Sequence, residues 1–494
     1  MSLAAAPWFD RDARRPAVAV LILTAIHLVA AAVIPLSADE TYYLSWSRFP
    51  AWGYYDHPPM IAWWIAAGTA TFGENAFAVR LLAVLSTIPT SLALYATGRA
   101  LFDREVATLS ALWINATLLV GVGSISATPD PPSVMFWALA TLAFALVIRT
   151  GNGAWWLAVG VAAGLGVASK LTDLFFGLGI VLALIAKPDL RRWLLSPWLY
   201  AGAALAVVTF LPALLWNAGH DWVMFGRQFG RITSGGLEPQ QFPVFVFVQF
   251  LLLNPWIAMF FGLAATAWLR RDRAYPLPAM GVLLFTIVPL IAYMAIHSFH
   301  GQIQGNWLAP VFPTVALLAA AAAVAAPPKW ALGRAWAFPV GVALSLIGLV
   351  AAANPGGVIP PLIDFGRIIH GWEGMTDEVD GFRRATGARW IVADYYGLVG
   401  ELQYHLRPTG IPVVGVIDRA RYAYAPPPDP DMMSQPLLIV AQWKLPNDIA
   451  SCLRGLQKIG TADRRNGGYT IQTYTVYRAD SADPRLFTEG CANE

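Results

Sequence analysis

Charged side chains are scarce in this chain of 494 residues, since Asp, Glu, Lys and Arg together make up 13% of it. Soluble domains carry about 25%, so an ordinary soluble enzyme is excluded. The hydrophobic residues, 57% of the chain, fall in blocks of roughly 17 to 25, which is the length that a helix needs to cross a bilayer. The sequence therefore predicts a polytopic α-helical membrane protein.

Other absences narrow the function. The basic residues form no stripe, which argues against nucleic acid as a partner. No GxxxxGK(S/T) loop is present to hold a nucleotide. An internal repeat of fixed period and charged residues in the middle of spans, both typical of transporters, are also missing.

The chain has two cysteines, Cys452 and Cys491. In an oxidising compartment they are a candidate disulfide. A single pair has no spacing signature, so two unpaired thiols are the alternative.

Eleven apolar segments are predicted as spans. Their approximate bounds are 17–35, 78–101, 106–126, 131–148, 154–169, 171–186, 198–216, 243–269, 278–296, 306–326 and 335–353. The first is interpreted as an uncleaved helix rather than a cleaved signal peptide, because it is long and many spans follow. The short segments around 154–186 could form one broken pair, and 60–68 fits an interfacial helix.

The distribution of Lys and Arg predicts the orientation. With the N-terminus in the cytoplasm, basic residues concentrate in alternate connections along the whole chain, which favours an odd number of spans. Acidic residues were not used for that assignment, yet a set of them falls on the opposite side: Asp39, Glu40, Asp56, Glu74, Asp130, Asp173, Asp221 and Glu238. A functional site on the outer face of the membrane is therefore expected.

The composition changes after residue 353. Residues 354–494 hold many of the charges, the Pro-rich AYAPPPDPD and no span. Apolar runs such as ARWIVADY, PVVGVI and PLLIVAQW, with the helical GLVGELQYHL, predict a small extracytoplasmic α/β domain with YTIQTYTVYR as an edge strand. We expect a membrane domain at 1–353, with its first outer loop at 36–77, and a soluble domain at 354–494.

The pair Asp39-Glu40 directly follows the first span, in SADETYYLSW. A carboxylate beside apolar surface has a raised proton affinity and suits a general base that takes a proton from an acceptor hydroxyl. The alternative is structural, because Ser37 and Glu40 have the spacing of a capping box. Both interpretations are compatible if Glu40 forms the capping box and Asp39 acts as the general base.

A second motif in the same loop is Asp56-His57-Pro58-Pro59, preceded by Tyr54 and Tyr55. The prolines fix an extended backbone that aims the two polar side chains. His57 could donate to a phosphate, and Asp56 could hold a divalent cation or orient His57. A turn with a self-satisfied Asp–His pair is the alternative.

Two further candidates lie at the outer ends of spans. Asp130, in Thr128-Pro129-Asp130, is either a site residue or part of a helix cap. Lys170, in SKLTD, could stabilise a leaving phosphate or form a helical ion pair with Asp173.

Two outer loops complete the candidates. Arg227 and Arg231 lie on one helical face in MFGRQFGR and suit a lipid phosphate; unspecific headgroup contact is the alternative. The loop HSFHGQIQGNW (297–307) gathers neutral hydrogen-bonding groups beside an aromatic ring, as sugar recognition requires: Gln302, Gln304 and Asn306.

These motifs together resemble a known family. DETYYLSWSR, YYDHPPM, the TPD before a span, GLGVASKLTD and GNW are similar to those of the bacterial relatives of dolichyl-phosphate-mannose–protein mannosyltransferases. That group includes the lipid A aminoarabinose transferase and the rhizobial galacturonosyltransferases. The resemblance covers roughly residues 17–350.

The resemblance implies a GT-C fold in a bacterial inner membrane, with the active site and the C-terminal domain facing the periplasm. It implies transfer of a monosaccharide, with inversion, from a polyprenyl-phosphate-linked donor to a lipid or glycan acceptor. Asp39 would be the base and Glu40 its neighbour. Asp56 and His57 match an acidic–basic pair used for metal or phosphate, with His in place of Lys, and Arg231 falls near an outer-loop arginine of the family.

Gln302 and Gln304 stand where several relatives carry Lys or an acidic residue, so the sugar specificity of a relative is not transferred. The expected partners are the lipid-linked donor, the acceptor and membrane lipids, and the one cofactor considered is a divalent cation. The alternatives are a flippase for a lipid-linked sugar, a glycan ligase or polymerase that uses a diphosphate-linked donor, and a protein O-glycosyltransferase.

Overall fold

The computed structural model describes residues 13–230, 236–353, 365–488 and 491. The chain divides into two compact units. The first, here called the helical unit, comprises Met1–Ala31, Asp56–Trp64 and Arg80–Gly348, and the second, called the mixed unit, comprises Ala32–Tyr55, Ile65–Val79 and Leu349–Glu494. Two segments from the first 80 residues therefore belong to the same unit as the C-terminal residues. The predicted division between 353 and 354 stays a prediction.

The α-helices described up to residue 353 are, in chain order, α1 Arg14–Val33, α2 Ala38–Ser47, α3 Met60–Phe72, α4 Ala76–Leu85, α5 Thr87–Leu101, α6 Arg104–Asn115, α7 Leu118–Gly121, α8 Asp130–Thr150, α9 Trp155–Val167, α10 Leu174–Ala186, α11 Pro197–Ala218, α12 Val223–Phe229, α13 Gln241–Leu252, α14 Pro255–Arg270, α15 Leu277–His297, α16 Phe312–Ala325 and α17 Ala331–Ala353. Short 3₁₀ helices precede α10 and α16, at Leu171–Asp173 and Gly305–Val311.

In the described residues, seven helices are long and apolar enough to cross a membrane, and three bent helix pairs raise that number to ten. The chain is a multi-pass membrane protein, as predicted. Each of the eleven predicted segments coincides with a helix or a helix pair. They are not eleven straight crossings, since α9 has only 13 residues and the segments 106–126 and 243–269 contain bends of 52° and 112°.

The predicted span 243–269 is the clearest departure, because it consists of α13 and α14 with a bend of 112° between them. Asn254 lies at the bend with a φ of 74° and is fully buried. Its amide donates to the carbonyl of Ala337 at 2.7 Å and accepts from the backbone N–H of Trp256 at 3.1 Å. The segment is a bent helix pair rather than one continuous helix, because a buried amide and the following proline end α13 there.

Small residues place α16 at the centre of the helical unit. Its sequence FPTVALLAAAAAVA is buried from Phe312 to Ala323, and alanines let neighbouring helices approach closely. By contrast, α11 and α17 leave most of their apolar surface uncovered, as helices that face lipid do.

The mixed unit contains the strands β1 Trp390–Ala393, β2 Val413–Gly415, β3 Leu437–Ala441, β4 Leu453–Arg454, β5 Gln457–Asn466, β6 Tyr469–Ala479 and β7 Ser481–Ala482. The main sheet has the order β2-β1-β3-β6-β5, and β4 pairs with β7. Strand β1 is parallel to β2 and β3, whereas β6 is antiparallel to β3 and β5. The α/β character of this region was predicted correctly.

The prediction that YTIQTYTVYR is an edge strand was wrong. This segment forms β6, which pairs with β3 on one side and with β5 on the other. The sequence of β5, QKIGTADRRN, is polar and gave no strand signal by itself. It forms a strand because a tight turn at Gly467, with a φ of 56°, folds it back along β6.

Both faces of the main sheet are covered. Helices α18 Trp372–Thr386 and α19 Tyr396–His405 pack on one face. The short helices α20 Pro430–Met433 and α21 Asn447–Ala450 contribute to the core on the other face, where Cys452 and Cys491 form a disulfide.

Candidate active site

The start of α2 separates the roles of the two acidic residues in DETYY. Ser37 is the N-cap: its hydroxyl accepts from the N–H of Glu40 at 3.4 Å, and its own N–H donates to the Glu40 carboxylate at 2.9 Å. Glu40 is 1% exposed. The carboxylate of Glu40 therefore serves the capping box, whereas Asp39, in the same turn, is exposed.

Asp39 is held by a residue from the far end of the chain. The phenol of Tyr396, at the start of α19, donates a hydrogen bond of 2.8 Å to Oδ1 of Asp39. Burial, and then the charge of Asp39, raise the pKa of Tyr396 above its ordinary value, so the phenol stays protonated. A hydrogen bond to the ionised carboxylate fixes its orientation and favours its charged form.

Two glycines allow α19 to approach α2 closely enough for this bond. A Cβ on Gly397 would lie 2.8 Å from the Cβ of Ala38, and a Cβ on Gly400 would lie 2.7 Å from the backbone nitrogen of Tyr42. Any side chain at these two positions would push the helices apart. The two glycines of the GLVG segment therefore allow the close helix contact that places Tyr396 next to Asp39.

Arg421 stands among tyrosine rings next to this contact. Its guanidinium carbon lies 4.7 Å from the ring centre of Tyr396, 4.8 Å from that of Tyr55 and 5.8 Å from that of Tyr42. The residue is 5% exposed. Cation–π attraction of this kind holds the rings around the charge, so Arg421 helps to fix the ring of Tyr396.

Tyr54 does not meet the expectation that it contacts the donor. Its ring is fully buried and stacks on Trp46 at 4.4 Å, and its hydroxyl accepts from the N–H of Ala51 at 3.0 Å. Burial raises the pKa of Tyr54 to about 12. The residue is a structural anchor of the loop, whereas Tyr55 faces Arg421.

A three-residue network lies in the helical unit. Lys170 Nζ contacts Oδ1 of Asp130 at 2.5 Å, the amide of Asn306 donates to Oδ2 of Asp130 at 2.6 Å, and Lys170 also donates to the carbonyl of Asn306 at 3.2 Å. The side chains of Lys170 and Asp130 are 7% and 13% exposed. Three predicted site residues from distant parts of the sequence therefore meet, and they satisfy one another.

This network excludes the alternatives considered for its members. Asp130 does not accept a bond from the start of α8 as a cap would, because its oxygens are used by Lys170 and Asn306. Lys170 pairs with Asp130 rather than with Asp173, whose Oδ1 accepts instead from the hydroxyl of Ser133 at 2.6 Å.

The other polar residues of the 297–307 loop are outside that network. Gln302 and Gln304 are exposed, and Gln304 accepts from the indole N–H of Trp307 at 3.3 Å. The structure thus brings only Asn306 of the three predicted residues to the Asp130–Lys170 pair.

Asp56 faces a cation from α12. Nε of Arg227 lies 3.6 Å from Oδ1 of Asp56, and Gln228 donates to the backbone carbonyl of Asp56 at 2.5 Å. His57 is half-buried beside it. Arg231 lies outside the described residues.

A divalent cation does not fit this donor set. Such a cation takes roughly six oxygen ligands or more, and Asp56 already neighbours a guanidinium. Among the residues that the structure describes, no group of three or more His, Cys, Asp or Glu side chains is placed to hold a metal ion. We therefore assign no metal ligand to Asp56.

Sequence reasoning missed Tyr396 and Arg421. Tyr396 follows β1 in the segment VADYYG, so it stands just beyond the carboxyl end of a parallel strand, where α/β domains place ligand-contacting side chains. That position was the available signal. Arg421, in the 3₁₀ helix Arg419–Tyr422 after β2, had none.

Glu401 is an ionisable group within the core of the mixed unit that was also missed. Burial raises its pKa to about 7, against the opposing effect of His405, whose Nε2 lies 3.4 Å away. It lies on the same helix as Tyr396, five positions further along α19.

Known sequences show clear similarities to this chain. The dolichyl-phosphate-mannose-protein mannosyltransferase family matches residues 56–216. The lipid A galacturonosyltransferase RgtD of Rhizobium johnstonii is 26% identical over 383 residues, which are 75% of this chain and 77% of that protein. The undecaprenyl phosphate-alpha-4-amino-4-deoxy-L-arabinose arabinosyl transferase of Pseudomonas aeruginosa is 24% identical in an alignment of 463 positions, which covers 79% of this chain and 80% of that one.

Solved structures show the same fold. ArnT from Cupriavidus metallidurans, in its crystal structure bound to undecaprenyl phosphate, matches 97% of this chain and 99% of its own with a TM-score of 0.66 and 16% identity. The arabinofuranosyltransferase AftD from Mycobacteria matches 95% of this chain and 40% of its own with a TM-score of 0.54 and 14% identity. The helical membrane fold with a C-terminal sheet domain is thus that of ArnT.

Proposed function

We propose that this chain, a multi-pass membrane glycosyltransferase related to the dolichyl-phosphate-mannose-protein mannosyltransferases, transfers one monosaccharide from an undecaprenyl-phosphate-linked donor to lipid A or a related glycolipid. The observation that carries the proposal is Asp39, an exposed carboxylate at the start of α2 that receives a hydrogen bond from Tyr396. Neighbouring Glu40 is used for capping, so the exposed carboxylate has no structural duty of that kind.

Asp39 is assigned as the general base. The acceptor hydroxyl oxygen attacks the anomeric carbon, its proton passes to Asp39, and the bond between that carbon and the phosphate oxygen breaks with its electron pair on the departing lipid phosphate. One displacement of this kind inverts the anomeric centre. A positioned base contributes on the order of 10²–10⁴-fold to the rate.

Arg227 and His57 are assigned to the donor phosphate. The side chain of Arg227 is 37% exposed and lies 3.6 Å from Asp56, and an accessible guanidinium is a group that binds phosphate. Lys170 is assigned a structural role instead, because Asp130 and Asn306 already occupy its ammonium group. Arg231 stays a prediction for the same phosphate.

We place the chain in the bacterial inner membrane. Asp39 faces the periplasm, and residues 354–494 form one soluble periplasmic domain. The distribution of Lys and Arg supports this orientation. The disulfide between Cys452 and Cys491 also supports it, because disulfides persist in the oxidising periplasm and are rare in the cytoplasm.

The test is mass spectrometry of envelope lipids, glycans and proteins from wild type, a deletion strain, and the deletion strain complemented with Asp39→Asn. We expect both mutant strains to lack one monosaccharide on one glycolipid. Asp189→Asn is the matched control, since Asp189 is an exposed residue on the predicted cytoplasmic side, and it should restore the product.

Other results would identify a different function. A lipid-linked sugar that accumulates without loss of any product indicates a flippase. Loss of an assembled glycan indicates a ligase or polymerase, and loss of a sugar from protein indicates a protein O-glycosyltransferase. Full product formation by Asp39→Asn contradicts the assignment of the base.

A further inference from the structure

The mixed unit contains a cavity of about 580 Å³, which is within the range of small-molecule sites. Its wall combines the end of α2 with the region from α19 to the Pro-rich segment. The lining residues include Arg48, Gln403, Arg407, Arg419, Tyr422, Tyr424 and the prolines Pro426, Pro427 and Pro428. Neither Asp39 nor Tyr396 is among the residues that line it.

The wall carries an excess of positive charge. Three guanidiniums line the cavity, and the lining includes no carboxylate. Arg48 and Arg407 share the single carboxylate of Glu74, at 2.9 and 3.2 Å. Arg419 bonds within the described residues to a neutral carbonyl, that of Thr488. Guanidiniums in such a setting bind carboxylate or phosphate groups.

Two lining side chains also keep buried polar atoms without a hydrogen-bond partner in the described part of the chain. One is Nε of Arg419, a donor, and the other is the amide oxygen of Gln403, an acceptor. The amide nitrogen of Gln403 is already used, because it donates to the carbonyl of Val413 at 2.9 Å. Buried polar atoms left unpaired are costly, so the described part of the chain leaves this wall incompletely satisfied.

We infer that this cavity binds an anionic saccharide, through its acid group at the guanidinium of Arg419 and ring faces on Tyr422, Tyr424 and the prolines. Flat aromatic surfaces next to a few placed polar groups suit a sugar ring, which has apolar faces and polar edges. The binding of an anionic saccharide is inferred from the cavity itself. Its identification as the glycan of the acceptor rests on the proposed function.

The test is calorimetric titration of the detergent-solubilised full-length chain without any donor, using trigalacturonic acid, maltotriose and inorganic phosphate as probes. We expect trigalacturonic acid to bind at least 10-fold more tightly than either of the others. Arg419→Gln should weaken its binding at least 10-fold. The matched control Arg454→Gln, an exposed arginine of the same unit that does not line the cavity, should leave it unchanged.

A second variant, Ala423→Phe, fills the cavity from an exposed lining position and should abolish binding even if Arg419→Gln disturbs the fold. Equal binding of maltotriose overturns the role of charge, and equal binding of phosphate overturns the role of the sugar rings. Undiminished binding by Ala423→Phe, or no binding of trigalacturonic acid by wild type, overturns the site.

Transfer assays then separate this inference from the proposed function. If the cavity holds the acceptor's glycan, Arg419→Gln raises the acceptor KM at least 10-fold and leaves kcat unchanged. Normal acceptor kinetics in that variant, together with weakened trigalacturonic acid binding, overturn the link to the acceptor. If neither wild type nor any variant transfers a sugar, but wild type binds trigalacturonic acid, the proposed function is contradicted and the inference about the cavity is not.

Discussion

The phenol of Tyr396 donates a 2.8 Å hydrogen bond to the carboxylate of Asp39, across 357 positions of sequence. The bond is made within one compact unit, by helices α2 and α19, which touch at two glycines. A residue of the C-terminal region therefore orients the carboxylate that we assign as the base.

Replacing Tyr396 with Phe keeps the ring near Arg421 but removes the hydrogen bond. Because that bond favours the ionised carboxylate, its loss should lower kcat about 10-fold and move the acid limb of the pH–kcat profile to higher pH. The profile of purified protein checks this expectation.

The groups that face this contact are Tyr395, Tyr396 and Arg421, with Glu40 next to Asp39 on α2. Burial raises the pKa values of both tyrosines, so the acid limb reports a carboxylate. Tyr477→Phe, in the same unit, is the control. A lower kcat with an unmoved acid limb would show that Tyr396 only supports the fold.

The Asp130–Lys170 pair should behave as a buried ion pair. Removing one partner leaves an uncompensated buried charge and typically costs about 3–5 kcal/mol. We expect Asp130→Asn and Lys170→Met each to lower the Tm clearly, and the double variant to lower it by less than the sum. Thermal unfolding of the four proteins in one detergent measures the coupling.

Donor kinetics in the same series separate the two roles considered for Lys170. If Lys170→Met raises the donor KM at an unchanged Tm, the ammonium group binds the donor phosphate, and the structural assignment fails.

Glu401 should make stability depend on pH. Its pKa is raised by burial from 4.5 to about 7, so the folded state binds its proton more tightly than the unfolded state. This contribution to stability is fully present below pH 4.5 and is lost as the pH rises through 7. Glu401→Gln should therefore stabilise the chain at pH 8, on the order of 1–3 kcal/mol, and change little at pH 4.5.

Thermal unfolding at the two pH values measures this difference. Glu373→Gln is the matched control, because Glu373 is exposed on α18. An equal effect of Glu401→Gln at both pH values would mean that the glutamate does not titrate in this range.

The disulfide should stabilise the C-terminal sheet domain. Cys452 and Cys491 are 39 positions apart, and a cross-link that closes a loop of that length contributes about 4 kcal/mol in the chain-entropy description. We expect the double Cys→Ser variant to unfold at a clearly lower temperature than wild type. A reducing agent should lower the Tm of wild type but not that of the variant, and an unchanged Tm in both would contradict the expectation.

The features of the fold that were predicted correctly depend on residues close together in sequence. The capping box at Ser37 and Glu40 was readable because its partners are three residues apart, and the apolar segments were readable from their length. Local information failed at β5, whose strand character depends on pairing with β6, and at Asn254, whose amide is satisfied by a distant carbonyl.

The candidate site was predicted in part for the same reason. Asp130, Lys170 and Asn306 were each singled out as polar residues beside spans, but their mutual contact depends on how the helices pack. Tyr54 was misjudged because adjacent tyrosines look equivalent in sequence, whereas one ring is buried and the other faces Arg421. Tyr396 is too distant from Asp39 for any sequence spacing to indicate the bond.

The close contact of α2 with α19 also sets an order of events during biosynthesis. The ribosome delivers Asp39 among the first residues, but the helix on which α2 packs is made only after the last membrane-spanning segment. A nascent chain that has inserted all its spans therefore still lacks the phenol that bonds to Asp39. With Asp39 as the base that we propose, the chain becomes competent only once synthesis has passed α19, and truncated products left in the membrane lack an oriented base.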